Sequence, residues 1–99
     1  MDLPAFRASL ADLAPPPGLA RALQGLWWEA RGDWHRAHQC AQDQDDAAGA
    51  AVHACLHRKE GDPANARYWY GRAGRPPAND APAAEWQRLV EELLAGAAP

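Results

Sequence analysis

Two stretches decide the fold: "LWWEARGDWHRAHQCA" (26–41) and "CLHRKEGDPANARYWY" (55–70). A shift of 29 residues lays Gly32 on Gly61, Asp33 on Asp62 and Ala37 on Ala66. Gly25 then falls opposite Ala54, small against small. Each unit reads as helix, Gly-Asp turn, helix. The glycine permits a left-handed backbone at the end of the first helix, and the aspartate caps the second. The alanine five residues after the glycine lets the paired helices approach closely. "RGD" at 31–33 is the same turn as "EGD" at 60–62, so it is read as a hairpin corner and not as an adhesion signal.

Outward from the repeat, prolines and glycines divide the rest of the chain. Asp2 and Pro4 open a short helix with Leu3, Phe6, Leu10 and Leu13 at helical spacing, stopped by "APPPG" (14–18). Helices follow over about 19–31, 34–44, 47–60 and 63–74, the last with Pro63 in its first turn, where a missing N–H costs nothing. "GRPPANDAP" (74–82) is a linker, and Trp86, Leu89, Val90, Leu93 and Leu94 form one apolar stripe on a final helix. The expectation is a single all-α domain over residues 1–99 with about six helices: two hairpins, and a capping helix at each end. The stripe on 86–94 is expected to cover the end of the stack, with Tyr68 and Trp69 against it, since terminal repeats need caps.

These residues resemble the tetratricopeptide family and its shorter relatives over roughly residues 19–77. Gly25 and Ala54, Gly32 and Gly61, and Ala37 and Ala66 match, and "ARYWYGRA" (66–73) looks like the second helix of a short-period relative. The period is 29 residues rather than about 34, Ala41 stands where an aromatic is usual, and His53 and His57 replace leucine and tyrosine. The resemblance implies a non-enzymatic module binding a protein or peptide. Its groove would be lined by Leu19, Ala22, Leu26, Glu29, Ala48, Ala51, Cys55 and Arg58. The family register turns Ala50, His53, Ala54 and His57 of the fourth helix inward, whereas periodicity alone turns Val52, Cys55 and Leu56 inward.

Composition bounds the alternatives. The chain has 99 residues, a formal charge of −3 and five tryptophans, each able to bury ~150–250 Å². That charge gives no basic footprint for nucleic acid. No run approaches the ~20 apolar residues of a membrane helix, and "MDLPAFRASL" lacks the charged start and apolar run of a secretory signal. Cys40 and Cys55 stand alone, without Cys-x-x-Cys spacing, which argues against a disulfide scaffold or a cysteine zinc site. The expectation is a soluble, cytoplasmic protein without a cofactor.

Two chemistries compete with the binding module. His53 and His57 share a helix face; around the 43–46 turn Cys40 comes level with His53 and His35 with His57, and His38 is three residues from His35. Four histidines, His35, His38, His53 and His57, with Glu29 or Asp43 as oxygen ligands, would suit zinc or another transition metal. Alternatively, Cys40 with His53, or Cys55 with His38, would form the thiol–imidazole pair of an esterase-like hydrolase. Against both stands ordinary packing: histidines satisfied at helix contacts, and cysteines as small apolar residues in an alanine-rich interior.

Overall fold

Aspartate side chains start helices along the chain. The Asp2, Asp33, Asp46 and Asp62 carboxylates accept the backbone N–H of Ala5 (3.0 Å), Arg36 (3.0 Å), Gly49 (2.9 Å) and Asn65 (3.2 Å). Each such cap is worth about 1 kcal/mol. The computed structural model describes residues 1–96. Its helices are α1 (Leu3–Ser9), α2 (Arg21–Ala30), α3 (Trp34–Gln42), α4 (Ala47–Glu60), α5 (Pro63–Ala73) and α6 (Pro82–Gly96). The fold is all-α: among the described residues there is no strand, and no helix long and apolar enough to cross a membrane.

The 29-residue offset recurs in the hydrogen bonds of the two turns. Gly32 and Gly61 take φ of +80° and +89°, the left-handed region that favours glycine. The Asp33 N–H donates to the Trp28 carbonyl (3.0 Å), and the Asp62 N–H to that of His57 (2.9 Å). α2 packs on α3, α3 on α4, and α4 on α5. Gly25 lies at a close approach: a Cβ there would sit 3.1 Å from the Ala37 carbonyl oxygen and 3.3 Å from Val52.

α4 is buried all round from Gly49 to His57, as a helix enclosed by neighbours must be. Both expected inward faces of α4 are therefore buried. Val52, Cys55 and Leu56 join the main core with Leu23, Leu26 and Trp27. Ala54 meets Ala66 and Tyr70 of α5.

Two expectations need correction. Leu13 is 91% exposed, because α1 stops at Ser9 and the turn beyond is held away from the core by Arg31 donating to the Leu10 and Asp12 carbonyls. The last helix also lies elsewhere. α6 packs on α4, α2 and α1, and its Trp86 Nε1 donates to the Leu26 carbonyl at 2.8 Å, with the Trp86 ring 5.9 Å from Phe6. The stripe thus packs against α2 and α4, where Trp86, Leu89 and Val90 leave water for the main core. Glu85 fastens it there, accepting from Arg58 (3.0 Å) and from the Tyr70 hydroxyl (2.5 Å).

The start of α2 has no side-chain cap of its own. The Gln44 Oε1 supplies one across the fold, accepting the Ala22 N–H at 2.8 Å, beside an Arg21–Asp43 ion pair at 2.6 Å. This ties the α3–α4 turn to α2 and fixes how α3 and α4 face each other.

Candidate metal centre

The helical hairpin α3–α4 brings three imidazoles together. His53 and His57 are one turn apart on α4, and His38 faces them from α3. A nitrogen of each lies within 4.8 Å of the others. Ring centroids are 4.8 Å apart for His38–His53, 5.5 Å for His38–His57 and 5.9 Å for His53–His57. Tryptophans hold two of the rings: Trp34 stacks on His38 at 4.8 Å, and Trp69 on His53 at 3.9 Å with the planes 7° apart. Trp69 therefore packs against His53 and not against α6 as expected. Trp34 is itself tied down by donating to the Leu56 carbonyl at 3.3 Å.

The three imidazoles differ in what they touch. The His57 Nδ1 lies 2.8 Å from Glu60 Oε1 and 3.5 Å from the Asn65 amide nitrogen. His53 is 2% exposed, yet among the described residues neither of its ring nitrogens has a hydrogen-bond partner. A buried polar group left unpaired costs about 1–3 kcal/mol. Burial, with the neighbouring His38 and His57, lowers the His53 pKa to about 4. Burial also lowers that of half-buried His38. Both are neutral imidazoles near pH 7, the form that binds metal.

That depression sets a pH dependence. In the unfolded chain His53 protonates near 6.5, but in the fold only near 4. Between these values the unfolded state holds the extra proton, so stability rises with pH. The expected result, in chelator-treated protein, is a urea midpoint that falls as pH drops from 6.5 to 4. His53→Leu should flatten that stretch of the profile. An equal slope in both proteins would contradict the assignment.

His35 does not join the group. It is exposed and lies edge-on to Trp34 at 5.8 Å. Nor do the expected oxygen ligands: Glu29 pairs with Lys59 (2.5 Å) and Asp43 with Arg21. Glu60, which sequence reading passed over, is the carboxylate at the cluster. Its spacing from His57, three residues on one helix, is the signal that would have found it.

The expected thiol–imidazole pairs are not formed, for one geometric reason. Cys40 is two residues beyond His38, and Cys55 two residues from both His53 and His57. Two residues carry a side chain about 200° around a helix, so when the histidines meet, both cysteines point away. Cys40 packs against Gly25 of α2. Cys55 lies in the core with Leu26 and Trp86, and its charged neighbours are Glu85, Glu29, Arg58 and Lys59, not a histidine. Burial pushes both thiols up, Cys55 further because Glu85 and Glu29 also oppose a thiolate. Native protein is therefore expected to resist iodoacetamide at pH 7 and to label twice once denatured. Fast labelling of one native cysteine would contradict this.

The expected peptide groove is occupied by the protein itself. Ala22, Leu26, Glu29, Ala51 and Cys55 are buried, four of them in the core cluster that includes Trp86, Leu89 and Val90. Only Leu19, Ala48 and Arg58 keep partial exposure, and Arg58 is spent on Glu85 and Asp80. No known protein family, curated protein or solved structure matches this chain.

Proposed function

We propose that this protein binds a divalent transition-metal ion, zinc being the best fit, through His38, His53 and His57. The observation that carries the reading is His53: fully buried, unpaired at both nitrogens, and surrounded by two more imidazoles. Buried polar groups are nearly always paired, and a metal ion at this cluster would satisfy one of the two His53 nitrogens. Glu60 on the His57 Nδ1 is the outer-shell carboxylate that fixes a ligating imidazole, leaving Nε2 for the metal. An all-nitrogen set favours borderline ions such as zinc, nickel or copper(II) over soft or hard ones. Three protein donors leave a tetrahedral ion one position for an exogenous ligand.

Titration of chelator-treated protein with zinc, against a chromophoric competitor at pH 7.5, tests this. One equivalent should bind. At a hundredfold excess over Kd the metal should stabilise the fold by about 2.7 kcal/mol. An unchanged unfolding curve and no competition with the chromophore would refute the reading.

A further inference from the structure

A cavity of about 560 Å³ opens where α1, the end of α2, the end of α4 and the start of α6 meet. That is within the size range of small-molecule sites. None of the three clustered histidines lines it, so what it binds is independent of the metal reading. Leu10, Ala30, Pro82 and Trp86 give it apolar walls. The Trp86 Nε1 is spent on the Leu26 carbonyl, so the indole brings no free donor to the cavity.

Three charged side chains line the same space: Arg7, Glu29 and Lys59. Glu29 is buried and already paired with Lys59 at 2.5 Å. Arg7 has no carboxylate within ion-pair distance among the described residues. Its guanidinium donates to the Gln87 side chain at 2.9 Å and lies 5.8 Å from the Trp86 ring centroid. A guanidinium has five N–H donors, so most of those of Arg7 remain open. The lining therefore carries one net positive charge, in a chain whose formal charge is −3. Its one carboxylate is neutralised and its one unpaired ion is a cation at the edge of an apolar space.

We propose that this cavity binds a medium-chain monocarboxylate. The head group pairs with Arg7, whose planar fork matches a carboxylate, and the alkyl chain lies against Leu10, Ala30, Pro82 and Trp86. A cationic ligand would meet Arg7 with like charge and reach Glu29 only by breaking the Lys59 pair. A dicarboxylate would set its second charge against apolar walls, which is unfavourable without a partner.

The test is calorimetric titration of the whole, metal-free protein with decanoate at pH 7.5. One equivalent should bind, and each carbon added from hexanoate to decanoate should tighten binding by up to about fourfold, the transfer of one CH₂. Decylammonium should bind more weakly than decanoate. Arg7→Met should lower decanoate affinity about tenfold, the loss of a charged hydrogen bond, and leave decanol affinity unchanged, with Arg7→Lys keeping part of the preference for the acid. Ala30→Trp, at an exposed position of the wall, should block decanoate and decanol alike. Circular dichroism checks that the variants fold, and zinc affinity should be the parent's in all of them. Absence of decanoate binding overturns the proposal. Decylammonium binding as tightly as decanoate overturns it too, because Glu29 is then the anchor. Decanoate binding that either Arg7→Met or Ala30→Trp leaves unchanged does the same, since the ligand is then held elsewhere. Each of these results leaves the metal reading intact, and failure to bind zinc leaves this proposal intact.

Discussion

Trp86→Ala is expected to destabilise the fold by about 3–5 kcal/mol, the range for truncating a buried aromatic. The residue carries two burdens at once. Its ring fills the space among Phe6, α2 and α4, and its Nε1 satisfies the Leu26 carbonyl. Domains of this size have about 5–15 kcal/mol in total, so the variant stands near the threshold of folding. Trp86→Phe separates the contributions: most of the ring stays, the N–H goes, and the loss should be about 1–3 kcal/mol. Urea unfolding gives both values. A second readout follows from the position of α6: once it loosens, Cys55 becomes open to iodoacetamide in folded Trp86→Ala. A loss below about 1 kcal/mol, which is ordinary for a surface change, would mean that α6 is not the lid of the core.

The second large effect lies at the histidines. His38→Ala, His53→Ala or His57→Ala should each lower zinc affinity by more than the tenfold to hundredfold that losing an outer-shell partner costs. Glu60→Gln, which weakens the grip on His57, should fall inside that range. His35→Ala should change nothing, since that ring is outside the cluster. His53→Leu is the sharpest variant. It keeps roughly the volume beside Trp69 and removes two unpaired nitrogens from the interior, so the metal-free protein should melt at a higher temperature while zinc binding is lost. Gain of stability with loss of binding is the mark of a site kept at the expense of the fold. A destabilised metal-free His53→Leu would assign His53 to packing.

What the sequence made legible was punctuation. Asp33, Asp62, Gly32 and Gly61 are local signals, and the helices begin and end at them. Placement of α6 was not legible, because an apolar stripe says that a helix is covered and not by what. The same holds for Trp69, whose partner His53 belongs to another helix. The histidine cluster was half legible. The spacing of His53 and His57 fixes their shared face, but their partner depends on how α3 is rotated against α4. That rotation is set by long-range contacts such as Gln44 with Ala22, which periodicity does not encode. A turn-based register put Cys40 opposite His53. Cys40 and His38 lie on nearly opposite faces of α3, so with α3 turned to bring His38 to His53 both thiols face away.

The most direct measurement is zinc K-edge X-ray absorption on stoichiometrically loaded protein. Three histidine ligands predict nitrogen or oxygen scatterers at about 2.0–2.1 Å, with the outer-shell pattern of three imidazoles and no sulfur. A sulfur shell at about 2.3 Å, bringing in Cys40 or Cys55, or a spectrum with fewer than two imidazoles, would contradict the account.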